Sequence, residues 1–280
     1  MIKLGIIGYP LGHSLSPVMH RAALEYLGLE GDYALIETMP ENICDTIKSL
    51  RNQNLQGFNV TIPLKVIVIP FLDRIDNLAI IAGAVNTVVR QNNMLIGYNT
   101  DIYGFTQAIP QKERENLKSK KAAVFGTGGA ARAVAVGLAE SGIKEIVFYA
   151  RDVKKADSLR QIISSNLTQV KVTVKQFSEY IDLSYASIAV NTTPLGMYGL
   201  NRNISPVSQK SMDTLNGECI VYDLVYRPRM TKFLQQAKDR NLKIIEGIEM
   251  LVLQGSKSLS MWLDREVPVD IMREAALKNL

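Results

Sequence analysis

Short apolar runs that stop at glycine or proline alternate with longer stretches of helical periodicity along most of the chain, the rhythm of strands followed by covering helices. "KLGIIG" reads as a buried strand ending at Gly8. After a turn rich in glycine and proline, "SPVMHRAALEYLGL" reads as a helix: Ser16 suits the N-cap, Pro17 the first helical position and Gly28 the stop, with Val18, Ala22, Leu24 and Leu27 in an inward stripe. "DYALIET" is a second strand, "NICDTIKSLRN" a second helix and "LQGFNVTIP" a third strand, a βαβ unit that implies parallel pairing. In "AVNTVVRQNNMLIGYNTD", Asn92-Asn93 separates two apolar runs as a hairpin turn would, and a helix follows from near Asp101. "QKERENLKSK" then reads as a polar surface excursion.

A second series begins at Lys121, with strands in "KAAVFG", "EIVFYA", "VKVTV", "ASIAVN", "ECIVYDLVY" and "LKIIEG". Such a series builds a doubly wound sheet. The last segment, from Ile248 on, reads as two helices parted near Pro268 that pack back on the first domain. A length of 280 residues accommodates this two-domain division.

Composition narrows the classes. With 47% hydrophobic and 21% charged residues the chain is globular rather than disordered. The net charge of +5 is spread without a polybasic block, as on an ordinary solvated surface; the mild positive excess would help attract an anionic small molecule or a phosphate-bearing cofactor, and the lack of a clustered stripe argues against nucleic acid. Cys44 and Cys219 stand far apart, outside any CxxC spacing, so neither a disulfide nor a thiolate metal site is expected. The first apolar run is too short for a signal peptide and no membrane-spanning run occurs, so a cytoplasmic protein is expected.

Against this frame the polar residues at strand ends carry the candidate chemistry. Gly126-Thr127-Gly128-Gly129, followed by Ala130, lies between an apolar strand and an alanine-rich helix, the context in which backbone N–H groups approach a pyrophosphate. A tight turn without a ligand is the alternative. Arg151 ends the next strand, where a carboxylate would suit NAD; with Lys155 one turn on, it favours NADP, while Asp152 opposes a phosphate or accepts a hydroxyl. Ser14 and Ser16 at a helix start could hold a carboxylate, although capping alone accounts for Ser16; the nearby His13 reads as a surface or structural residue. Strand alternation puts Asn59 and Thr61 on one face; Pro63 stops the strand and Lys65 follows. Asn86 and Asp101 also sit near strand ends, each readable as a turn or cap residue. Together they offer partners for a polyhydroxylated ring and one lysine–carboxylate pair for proton transfer.

These motifs resemble the shikimate dehydrogenase family in family order: "HSLSPVMH" (13–20), "GFNVTIPLK" (57–65), "GAVNTVV" (83–89), "GYNTD" (97–101), "GTGGAARA" (126–133), "NTTPLGM" (191–197), "DLVYRPRMT" (223–231) and "GIEMLVLQG" (247–255). The resemblance implies NADP-dependent, reversible reduction of 3-dehydroshikimate to shikimate, a step in aromatic amino-acid biosynthesis. It implies an α/β fold: an N-terminal α/β substrate domain with a mostly parallel sheet (1–101, with helices 248–280 returning to it) and a Rossmann-type doubly wound dinucleotide-binding domain (102–247). Ser14 and Ser16 would hold the substrate carboxylate, and Asn59, Thr61, Asn86, Asp101 and Gln254 the ring hydroxyls. Lys65 would be the acid–base residue paired with Asp101, and Tyr226 would lie beside the substrate. Gly126, Thr127, Gly128, Gly129, Ala130, Ala150, Arg151, Asp152 and Lys155 would hold the cofactor, with Leu224 and Gly247 at its nicotinamide end. No metal is implied, and the partner is a small molecule, with the chain a monomer or homodimer. Two departures stand out: Arg21 follows His20 where the family usually has Asn, and Ala150-Arg151-Asp152 replaces Asn-Arg-Thr. The rivals are a quinate/shikimate dehydrogenase accepting NAD, and a non-catalytic nucleotide sensor, which would be expected to have lost Lys65 or Asp101.

Overall fold

The computed structural model describes residues 1–53, 55–199 and 202–280; the side chain of Lys155, expected at the cofactor, lies outside the described residues. The chain divides into two compact units, Met1–Gly104 with Val252–Leu280, and Phe105–Leu251.

In unit 1 the elements run β1 (Ile2–Gly8), α1 (Ser16–Tyr26), β2 (Gly31–Glu37), α2 (Ile43–Asn52), β3 (Gly57–Val60), β4 (Arg74–Ile75), α3 (Asn77–Ala82), β5 (Thr87–Gln91), β6 (Met94–Tyr98) and the start of α4 (Thr100–Ala108). Their sheet order is β2-β1-β3-β5-β6-β4. β1 pairs in parallel with β2 and β3, and β4 with β6, while β3/β5 and β5/β6 are antiparallel. The hairpin falls where expected: Asn92 and Asn93 take φ of 50° and 61°, the doubly left-handed turn that matches strand twist. One face of the sheet packs a core built on Ile7, Ile47, Leu50, Phe58, Val60 and Leu64.

Three local expectations change. Ser16 is the first residue of α1 rather than its cap, with Leu15 at the N-cap and the Ser14 hydroxyl accepting the Ser16 N–H at 3.3 Å. The buried stripe of α1 is Met19, His20, Ala23 and Leu24, while Val18, Ala22 and Leu27 are only half-buried. The returning helices select that face: at Gly255 an added Cβ would touch the Met19 and Met272 side chains. β3 stops at Val60, so Thr61 lies beyond the strand, where strand alternation does not apply.

Unit 2 continues with α5 (Gln111–Asn116), β7 (Lys121–Phe125), α6 (Gly129–Glu140), β8 (Glu145–Ala150), α7 (Val153–Asn166), β9 (Lys171–Gln176), β10 (Ile188–Asn191), α8 (Gln209–Met212), β11 (Ile220–Asp223), α9 (Lys232–Asp239) and β12 (Lys243–Ile245). The segment read as a surface excursion contains the short helix α5. All six strands are parallel in the order β12-β11-β10-β7-β8-β9, a doubly wound sheet whose order reverses between β7 and β10. α10 (Gly247–Leu263) and α11 (Val269–Lys278), with Pro268 between them, close the chain.

Candidate active site

The polar groups of unit 1 converge where β3 ends, β5 begins and α4 starts. The antiparallel pairing of β3 with β5 sets Asn59 opposite Thr87. The carbonyl of Lys65 accepts the Val85 N–H at 2.8 Å, which ties the turn after β3 to the segment entering β5. From that turn the Lys65 ammonium donates to Asp101 Oδ2 at 2.5 Å, with side-chain exposures of 16% and 6%. Asp101 lies in the first turn of α4, where the helix dipole favours negative charge.

Asn86 orients the acid. The backbone N–H of Thr100 can only donate, and it lies 2.6 Å from Asn86 Oδ1, which assigns the oxygen end of that amide. Its Nδ2 must then face the Asp101 Oδ1, at 2.9 Å, with Gln254 Oε1 on α10 at 3.2 Å. One carboxylate oxygen is thus held by an amide and the other by the ammonium.

Behind this pair lies a buried polar layer. The hydroxyls of Thr87, Thr100 and Ser258 stand 2.8 to 3.0 Å apart. Asn59 donates to the Asn86 carbonyl and reaches Thr87 and Ser258, each at 3.1 Å, and its oxygen accepts the Tyr33 hydroxyl at 2.7 Å. Ser16 meets Tyr33, which links the α1 start to the same network. His20 stacks on the Tyr33 ring, ring centroids 4.3 Å apart, and burial lowers its pKa to about 3.

In unit 2 the loop after β7 fits a dinucleotide. Gly126 has φ of +104°, and a Cβ there would meet the Thr192 hydroxyl at 2.7 Å, so only glycine lets these loops approach. An added Cβ at Gly128 would meet open space, and α6 starts without a side-chain cap or an acidic first turn, leaving its N–H groups for a phosphate. Arg151 and Asp152 are exposed just past Ala150, the last residue of β8. Tyr226 is half-buried, and burial raises its pKa. No group of histidine, cysteine or acidic side chains among the described residues could hold a metal ion.

Comparison with known proteins gives the same outline. Residues 6–88 match the shikimate dehydrogenase substrate binding domain, residues 108–195 match shikimate / quinate 5-dehydrogenase, and residues 247–277 match the shikimate 5'-dehydrogenase C-terminal domain. The chain is 41% identical over 279 residues to a shikimate dehydrogenase (NADP(+)) from Nostoc sp., covering 99% of this chain and 96% of that one. It is equally 41% identical over 284 residues to the enzyme of that name from Synechocystis sp., with 99% and 95% covered. Among solved structures, the shikimate 5-dehydrogenase of Thermus thermophilus in complex with NADP(H) and shikimate matches with a TM-score of 0.86 at 34% identity, over 100% of both chains.

This chain belongs to the shikimate dehydrogenase family.

Of the residues the family resemblance singles out, unit 1 brings Asn59, Lys65, Asn86, Asp101 and Gln254 into one bonded cluster, with Ser16 joined through Tyr33 and Ser14 at the turn before α1. The Thr61 hydroxyl takes no partner among the described residues, and its N–H donates to Ile7 at 2.9 Å. Gly126, Thr127, Gly128, Gly129, Ala130, Ala150, Arg151, Asp152, Leu224, Tyr226 and Gly247 all belong to unit 2. Sequence reasoning missed Tyr33, Thr87, Thr100 and Ser258. Ser258 had a detectable signal, because it lies one helical turn after Gln254; Tyr33 had none, since its partner Asn59 is on a strand that is not its neighbour.

Proposed function

We propose that the protein is an NADP-dependent shikimate dehydrogenase that interconverts 3-dehydroshikimate and shikimate in the pathway to chorismate and the aromatic amino acids. The observation that carries this reading is the 2.5 Å Lys65–Asp101 pair, oriented by Asn86. Ser14 and Ser16 take the substrate carboxylate at the start of α1, and Thr61, Asn86, Asp101 and Gln254 take ring hydroxyls. Asn59 belongs to the same surface, its amide, like that of Asn86, also bonded to inner partners. Bound NADPH supplies a hydride to the C3 ketone.

Lys65 supplies the matching proton. Its ammonium hydrogen-bonds the carbonyl oxygen, gives a proton to the forming alkoxide, and is reprotonated from solvent, to which it is partly open. Asp101 accepts from the ammonium on one oxygen and from Asn86 on the other, which keeps the amine aimed. In unit 2 the glycine loop holds the pyrophosphate, Arg151 and Lys155 the 2′-phosphate, and Leu224 and Gly247 the nicotinamide end. No helix among the described residues is long and apolar enough to cross a membrane, and we place the protein in the cytoplasm. The exposed Asp152 directly after Arg151 favours a second reading, a quinate/shikimate dehydrogenase that also accepts NAD. Initial rates with shikimate and quinate against NADP and NAD decide: shikimate with NADP should give the highest kcat/KM, and preference for quinate with NAD would overturn the assignment.

A further inference from the structure

Asp223, the last residue of β11, is fully buried, and no cation partners it among the described residues. Burying a carboxylate this way is costly unless donors satisfy it, and a well-packed apolar group would stabilise the same space better. Three donors reach it. Oδ1 accepts Asn191 Nδ2 and the Val225 N–H, both at 2.9 Å, and Oδ2 accepts the Thr231 hydroxyl at 2.6 Å. Each donor lies on a segment at the carboxyl end of the sheet, β10 with its loop in one case and the loop after β11 in the others.

We propose that Asp223 is a positioning residue that shapes the part of the dinucleotide site taking the pyridine ring, by tying loop 191–196 to loop 223–231. This rests on the reading of unit 2 as a dinucleotide site. Asn191 stands in register with Phe125 on one side and Asp223 on the other, so it bridges the glycine loop and the acid. Its Nδ2 also holds the Leu195 carbonyl at 3.0 Å, and its Oδ1 accepts the Thr193 N–H at 3.0 Å and hydroxyl at 2.7 Å. Thr192 between them donates its hydroxyl to the Phe125 carbonyl at 2.7 Å and occupies the space a Cβ on Gly126 would need. On the other side, the Val225 N–H fixes a backbone that lies against Gly247, where a Cβ would fall 2.5 Å from the Leu224 carbonyl oxygen and 2.6 Å from that of Val225. One carboxylate therefore sets both walls beside the strand-order reversal, where doubly wound sheets bind ligands. Arg151 follows β8, on the far side of β7, and is outside this network.

The test is calorimetric titration of the whole protein and of Asp223→Asn with NADP and with adenosine 2′,5′-bisphosphate, which lacks the pyridine ring. Asparagine keeps the size and one acceptor but loses the charge and the acceptor facing Thr231. NADP should bind roughly tenfold or more weakly while the bisphosphate stays within about twofold, because only the ring half loses its walls. Equal weakening of both ligands, or of neither, overturns the inference. A wild-type protein that binds neither overturns the dinucleotide reading and this inference with it. Should Asp223→Asn not fold, Thr231→Val should give the same split at smaller amplitude and Thr231→Ser should restore wild-type binding; failure of either also overturns it.

Discussion

The buried His20 makes acid stability a quantitative test of the packing in unit 1. Its ring stacks on Tyr33 and lies against Trp262, neither nitrogen has a partner among the described residues, and burial lowers the pKa from 6.5 to about 3. The folded protein keeps the ring neutral where the unfolded chain protonates it. Stability from this group is complete above the unfolded pKa and is lost as pH falls toward the folded one, at about 1.4 kcal/mol per pH unit, which amounts to about 2 kcal/mol between pH 7.5 and 5. Asp223 in unit 2 has the opposite sign: burial raises its pKa from 3.8 to about 7, so its contribution is largest in acid and is lost as pH rises through that window, by about 2 to 3 kcal/mol over the same interval. Urea unfolding of wild type, His20→Leu and Asp223→Asn at pH 7.5 and 5 separates the two. His20→Leu should gain about 2 kcal/mol relative to wild type on acidification, and Asp223→Asn should lose about that much. Because each comparison is a difference across pH, the fixed cost of either substitution cancels. A His20→Leu profile parallel to wild type within about 0.5 kcal/mol would refute the reasoning, since the ring would then be solvated or paired in solution. The effect bears on function: the ring beneath His20 is Tyr33, whose hydroxyl holds Asn59.

Removing the Lys65 amine by Lys65→Ala should lower kcat by about 10² to 10⁴ with a smaller change in shikimate affinity measured by calorimetry, and near wild-type turnover would exclude the proton-transfer role. Arg151→Ala should raise KM for NADP while leaving that for NAD nearly unchanged in steady-state kinetics; a parallel rise in both places the 2′-phosphate elsewhere. Gly57→Ala would drive a methyl into the Val88 carbonyl and the Trp262 indole, whose N–H bonds that carbonyl at 2.9 Å. The cost is about 1 to 3 kcal/mol or more, read as a lower urea midpoint, and an unchanged midpoint contradicts the packing of α10 on β3.

Much of the fold could be read directly because its signals are local. The apolar runs of β7 to β12, the Asn92-Asn93 turn and the break at Pro268 each depend on a few adjacent residues. What escaped depends on distant partners. β4 is two residues long and exists only by pairing with β6. The buried face of α1 is set by helices more than two hundred positions later in the chain, so periodicity alone placed the stripe one residue out of phase.

For the candidate site the division is similar. The sequence by itself determined which chemical groups stand at strand and helix ends, since turns, caps and strand stops are written within a few residues. Only the tertiary structure decided that Lys65 and Asp101 form a pair, that Asn86 aims the acid, and that Asn59 spends its amide on partners as far away as Ser258. A side chain has few donors and acceptors, and sheet order determines which distant neighbours claim them, so availability for a ligand is settled only when the chain has closed.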